Sequence, residues 1–124
     1  MKRHLYNDLL TWKKKKNRKP LVLQGARQVG KTYLLMEFGE KEYADTVYFN
    51  FEQIPELGSL FETSLNPIRI LESLELFVGR KIEPGATLIF FDEIQACQKA
   101  VTSLKYFYEQ TPEYHIVAAG SLLG

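Results

Sequence analysis

Eight consecutive residues near the N-terminus carry the clearest chemical signal in the sequence. They match the spacing Gly-x-x-x-x-Gly-Lys-Ser/Thr, with an apolar run before them and a stretch of helical character after them. Glycines let a backbone close around phosphate oxygens, and successive N–H groups at a helix N-terminus attract the anion. The segment therefore predicts a phosphate-binding loop made of Gly25, Ala26, Arg27, Gln28, Val29, Gly30, Lys31 and Thr32.

The last two residues of this loop have side chains suited to a nucleotide and its metal ion. Lys31 can bring an ammonium charge to the β and γ phosphates, and Thr32 can place a hydroxyl on Mg²⁺. The alternative is an ordinary strand-to-helix turn with a surface lysine. The complete spacing, in the correct context of strand and helix, favours the phosphate loop.

An acidic pair follows a second apolar run, Leu88 to Phe91. In an open parallel sheet the active crevice lies at the carboxyl ends of the strands, so Asp92 would lie beside the phosphate loop. Its carboxylate could hold Mg²⁺ through a water molecule. Glu93, one residue further on, could polarise an attacking water as a general base. The alternative is a solvated loop start.

Four further residues are weaker candidates. Ser121 follows a predicted strand and could contact the γ phosphate or the attacking water, although a serine after a glycine is equally typical of a turn. Arg27 could reach a phosphate or a neighbouring subunit, or face solvent. Glu52 and Gln95 are possible polar partners of the same crevice.

The elements that must position these residues alternate between strands and helices. Asn66 and Pro67 have the types preferred where a helix begins, and Gly39 and Gly79 are expected to end helices. The pattern predicts strands at 20–24, 46–51, 87–91 and 115–120, with helices at 4–12, 31–38, 67–78 and 96–110. This order indicates an α/β fold, a parallel sheet covered by helices on both faces.

Length and composition limit the classes of protein. The chain has 124 residues, 45% of them hydrophobic, which suits one domain with a core. No stretch approaches the roughly 18 apolar residues of a membrane helix, and no signal-peptide pattern precedes the fold. A single cysteine, Cys97, excludes an intrachain disulfide. These features favour a cytoplasmic location.

The net charge of +1 is unevenly distributed. Residues 1–20 contain eight of the 16 basic residues and one acid, Asp8. This basic arm could contact nucleic acid or an anionic surface, or it could be a solvated helix end, which is the commoner case.

Three segments together, GARQVGKT, LIFFDEIQ and AAGSLLG, resemble the AAA-type P-loop ATPases. With the R-x-L-Y opening at Arg3 to Tyr6, the chain looks more narrowly like a bacterial and archaeal group that has a C-terminal domain of unknown function. The resemblance covers essentially all 124 residues. It implies Gly25 to Thr32 as Walker A, Asp92 and Glu93 as Walker B, and Ser121 as the sensor position.

The resemblance also implies an arrangement of the whole domain. The sheet order would be 20–24, 115–120, 87–91, 46–51, with residues 1–19 as a basic helix and connector before the core at 20–124. A fifth strand, a helical lid and the arginine finger would lie beyond Gly124. The strand at 20–24 would then form an edge at which the chain could self-associate.

The leading hypothesis is therefore binding of ATP with Mg²⁺, with slow or conditional hydrolysis. A GTPase should contain an N-K-x-D segment, which is not present, and P-loop kinases usually lack the adjacent glutamate. The alternative of a different class is a nucleotide-gated binding module with little or no hydrolysis. Its partner-contacting part would be the basic arm.

Overall fold

The computed structural model describes residues 2–25 and 29–121. Two short 3₁₀ segments, Pro55–Phe61 and Ile94–Ala96, accompany the regular elements. Within the described residues no helix is both long and apolar enough to cross a membrane. In chain order the helices and strands are α1 Lys2–Lys14, β1 Leu21–Gly25, α2 Val29–Glu42, β2 Asp45–Asn50, α3 Pro67–Val78, β3 Thr87–Asp92, α4 Gln98–Gln110 and β4 His115–Ser121.

The four strands form one parallel sheet in the order β1-β4-β3-β2. This confirms both the predicted α/β class and the predicted strand order. Gly25 pairs with Ser121, and Asn50 pairs with Asp92, so the carboxyl ends of all four strands meet at one edge of the sheet. Within the described part of the chain β1 is an edge strand, and self-association through it stays a prediction.

Two apolar layers cover the two faces of the sheet because successive strand residues point in opposite directions. Phe91 packs among residues of α3, α4 and the first 3₁₀ segment, whereas its neighbour Phe90 packs on the face that α1 and α2 cover. Strands buried on both faces need continuous apolar runs, which explains why β3 lacks polar alternation.

Helix ends follow the predicted chemistry at α3 but not at α2. The Asn66 side chain accepts a hydrogen bond from the Ile68 N–H at 2.9 Å, and Gly79 ends α3 in the left-handed conformation with φ of 74°. The prediction that Gly39 ends α2 was wrong, since the helix continues to Glu42. A Cβ on Gly39 would lie 2.2 Å from Thr46 Oγ1, so this glycine allows α2 to pack closely on β2.

The basic arm is partly used to attach α1 and its connector to the body of the domain. Trp12, 6% exposed, packs against Phe38 and His115, and its indole N–H donates to the Lys19 carbonyl oxygen at 2.6 Å. The Lys13 ammonium donates to the Glu42 carbonyl oxygen, and the Arg18 guanidinium lies over the Trp12 ring. These contacts show that part of the arm packs against the domain instead of lying free in solvent.

Acid should destabilise this fold through His115, whose Nδ1 lies 2.6 Å from the Tyr43 hydroxyl. Burial, together with the positive charges of Arg18 and Lys13, lowers the pKa of His115 to about 4 from the ordinary 6.5. The unfolded chain therefore binds a proton first as the pH falls. Stability is full above about pH 6.5 and declines from there towards pH 4, by at most about 3 kcal/mol for a shift of this size.

Urea midpoints at pH 7 and pH 5 measure this decline. The variant His115→Gln should lose most of the difference between the two midpoints, and the exposed His4→Gln should keep it. A wild-type difference that persists in His115→Gln would assign the acid sensitivity to other groups.

Candidate functional site

The predicted site residues that the structure describes meet at the carboxyl edge of the sheet. Lys31 and Thr32 in the first turn of α2, Asp92 and Glu93 at the end of β3, and Ser121 at the end of β4 line one small cavity. Their clustering follows from the parallel register, which aligns the ends of the strands. The remaining loop residues Ala26, Arg27 and Gln28 lie outside the described residues, and only the backbone of Val29 is described.

Two glycines flank the loop. Gly25 ends β1 with φ of 147°, a conformation that side-chain-bearing residues rarely adopt, so the turn out of the strand requires glycine. Gly30 is exposed in the first turn of α2, and a Cβ placed there would meet no atom within 4 Å among the described residues. Packing therefore does not demand glycine at this second position, where the bare backbone leaves room above the helix N-terminus.

Asp92 is the centre of the hydrogen bonding at the site. It is 4% exposed, and its Oδ2 accepts from the Thr32 hydroxyl at 2.9 Å and from the Tyr48 hydroxyl at 2.5 Å. Its Oδ1 accepts from the Glu93 N–H at 2.9 Å. A buried carboxylate needs such partners, and they hold Asp92 directly against the first turn of α2.

Tyr48 and Asn50 belong to this site, although no motif in the sequence singles them out. The Asn50 amide donates to the Tyr48 hydroxyl at 3.2 Å, and its Oδ1 accepts from the N–H groups of Glu52 and Gln53. Burial and the hydrogen bond to Asp92 raise the pKa of Tyr48 to about 12, so its hydroxyl stays a donor at neutral pH. The exposed Glu52 contributes its backbone to this network.

Glu93 has an unusual backbone for its residue type. With φ of 51° and ψ of 46° it is the one non-glycine residue of positive φ in the described ranges 2–25 and 29–121. Such conformations are costly and concentrate at functional positions. The side chain is also held, since the Gln95 amide donates to Glu93 Oε1 at 2.9 Å.

Lys31 and Ser121 meet at the end of β4. The Lys31 ammonium donates to the Gly120 carbonyl oxygen at 3.1 Å, and the Ser121 N–H donates to Gln95 Oε1 at 3.1 Å. The described contact of Ser121 with the network is therefore through its backbone. Its predicted side-chain role as a sensor stays a prediction.

The residues around Asp92 fit a magnesium ion. Mg²⁺ prefers hard oxygen ligands and keeps several water molecules, so it needs only one or two protein groups beside the phosphates. The Thr32 hydroxyl and the Asp92 carboxylate are such groups, already 2.9 Å apart. Both would have to exchange their mutual hydrogen bond for the ion or for its water.

A larger surface depression lies away from the predicted site, and it does not fit the chemistry of phosphate binding. It measures about 540 Å³ and is lined by the exposed side of α2 and the start of β2, from Tyr33 to Thr46. This depression contains neither the phosphate loop nor a strand carboxyl end. The small cavity beside Lys31 is therefore the better candidate site.

A parallel sheet with the phosphate-loop spacing in the sequence after one strand and an acidic pair after another is typical of the P-loop nucleotide-binding proteins. The comparison with protein families narrows this class. A family model described as an AAA domain matches residues 17–124, and the chain belongs to that family. It is accordingly a nucleotide-binding domain of the ATPase type.

Comparison with solved structures supports the fold. The structure of C. elegans PCH-2 is similar with a TM-score of 0.58 and 12% sequence identity, over 99% of this chain and 37% of that one. The chain thus spans well under half the length of this structural relative. No curated protein sequence matches the chain.

Proposed function

We propose that this domain binds ATP with Mg²⁺ and hydrolyses it to ADP and phosphate. The observation that carries the proposal is the 2.9 Å contact between Thr32 Oγ1 and Asp92 Oδ2. It brings the end of the phosphate loop and the acidic strand end to one point, where a nucleotide-bound magnesium ion needs both.

Each residue of the site has a separate task in this proposal. The N–H groups of the loop and the Lys31 ammonium bind the phosphates, and Thr32 and Asp92 hold the magnesium ion. The ion, when bound, neutralises phosphate charge. Glu93 accepts a proton from the attacking water, and Tyr48 keeps Asp92 oriented through its 2.5 Å hydrogen bond.

We infer a cytoplasmic, self-associating domain, the N-terminal core of a larger ATPase of the bacterial and archaeal group. A nucleotide-gated binding module without hydrolysis is the second candidate, but contact with nucleic acid through the basic arm is less favoured. The reason is that Lys13 and Arg18 already bind backbone carbonyls of the same chain.

Thermal unfolding with three ligands tests the proposal. At about 100 times its dissociation constant, MgATP should add roughly 2.7 kcal/mol to the stability of the native state. ATP with EDTA should add less, because the metal ligands have no ion. AMP with Mg²⁺ should add almost nothing, because it lacks the β and γ phosphates that Lys31 would bind.

The variant Asp92→Asn makes the same test specific to the metal. An amide is a weaker Mg²⁺ ligand than a carboxylate, so the advantage of MgATP over ATP with EDTA should disappear. Equal stabilisation by all three ligands in the wild type would contradict binding of the triphosphate at this site.

A further inference from the structure

Four groups at the site are hydrogen-bonded in series. The Lys31 ammonium donates to the carbonyl oxygen of Gly120, and the N–H of Ser121 belongs to that same peptide group. This N–H donates to Gln95 Oε1, and the Gln95 amide donates to Glu93 Oε1. One peptide group and one side-chain amide therefore join the phosphate-binding lysine to the proposed general base.

Gly120 makes this arrangement sterically possible. A Cβ at this position would lie 2.8 Å from Gln95 Oε1 and 3.5 Å from Ile94 Cγ2. The close approach of the Gln95 amide to the end of β4 thus depends on the missing side chain. The glycine serves the contact with Gln95 because no positive φ requires it here.

We propose that Gln95 is a positioning residue, which holds the carboxylate of Glu93 at a fixed position relative to Lys31. The inference rests on the proposed function, since it concerns the same base. Glu93 is in the left-handed conformation between β3 and the 3₁₀ turn that contains Gln95. The side-chain amide of Gln95 ties the Glu93 carboxylate to β4, because its nitrogen donates to Glu93 Oε1 and its oxygen accepts from the Ser121 N–H.

The series also couples the two ends of the site. A carbonyl that accepts from an ammonium is polarised, and the N–H of the same peptide becomes a stronger donor. The Lys31 contact therefore strengthens the hydrogen bond from the Ser121 N–H to Gln95 Oε1. Removal of the Lys31 ammonium should therefore weaken the hydrogen bond that the Ser121 N–H donates, even though Lys31 does not contact that nitrogen.

Single-turnover hydrolysis of MgATP in Gln95→Met tests the positioning role. Methionine has nearly the same length but can make neither hydrogen bond. We expect the rate constant to fall about tenfold while the MgATP concentration for half saturation stays within about twofold of wild type. Gly120→Ala should reproduce this split by displacing the Gln95 amide, and the exposed Gln98→Met is the matched control.

An NMR measurement without nucleotide tests the hydrogen-bonded series itself. The ¹H–¹⁵N resonance of the Ser121 amide should move in Gln95→Met and in Lys31→Met, and stay in place in Gln98→Met. A resonance that moves in neither variant overturns the series. A Gln95→Met rate equal to that of the control, or a parallel loss of rate and saturation, overturns the positioning role.

The two proposals fail in different ways. Wild-type protein that neither binds nor hydrolyses MgATP contradicts the proposed function. In that case the Ser121 resonance, recorded without nucleotide, still decides whether Gln95 is hydrogen-bonded to the end of β4.

Discussion

Replacement of Glu93 by glutamine should leave MgATP bound but slow its hydrolysis by about 10²- to 10⁴-fold. An amide cannot accept the proton of the attacking water, yet its oxygen can still accept the hydrogen bond from Gln95. The metal site should survive, because the Thr32 and Tyr48 hydroxyls both donate to Asp92 independently of the Glu93 side chain. Single-turnover hydrolysis and nucleotide-dependent thermal unfolding measure the two properties separately.

The matched control is Glu109→Gln, which removes the same charge from the exposed side of α4. It should hydrolyse MgATP as the wild type does. Undiminished hydrolysis in Glu93→Gln would refute the base role. Loss of MgATP binding in that variant would instead indicate that the carboxylate holds the nucleotide or its metal.

Replacement of Lys31 by alanine should remove most of the roughly 2.7 kcal/mol that MgATP adds at about 100 times its dissociation constant. Without nucleotide the ammonium binds only a neutral partner through its described contact, the Gly120 carbonyl oxygen at 3.1 Å. Charge-assisted hydrogen bonds to phosphate are much stronger, so the loss appears when the ligand is present. Melting temperatures with and without MgATP measure it.

Lys41→Ala is the control on the same helix, since Lys41 is exposed and pairs with Glu37 at 2.8 Å. Its melting temperature should respond to MgATP as that of the wild type does, because exposed pairs contribute little. An equal MgATP shift in Lys31→Ala and wild type would remove the main support for a phosphate loop.

Periodicity and resemblance together predicted the fold, but they predicted close packing poorly. The apolar runs of β3 and β4 indicated buried parallel strands, and the strand order came from the resemblance, since no local pattern encodes it. The prediction for Gly39 was wrong because the residue type alone does not distinguish a glycine that ends a helix from a glycine that lets a helix pack closely on a strand. Only the position of Thr46 distinguishes the two.

The sequence predicted the site residues that belong to contiguous motifs. Lys31, Thr32, Asp92 and Glu93 each belong to a recognisable spacing, and the structure brings them together. Tyr48 was missed because its contact with Asp92 depends on the register of β2 against β3, which pairs Asn50 with Asp92. The alternation of β2 placed Tyr48 and Phe49 on opposite faces of the sheet. No sequence signal indicated which side chain of the neighbouring strand Tyr48 would contact.

Because of the position of Trp12, the intrinsic tryptophan fluorescence of the protein can serve as an optical probe. Trp12 is the only tryptophan of the chain, and its ring lies between Phe38 and His115, at the amino end of the sheet. About 20 Å of β4 separates His115 from Ser121 at the other end. Emission therefore reports whether α1 is docked, separately from events at the phosphate loop, and without an attached dye.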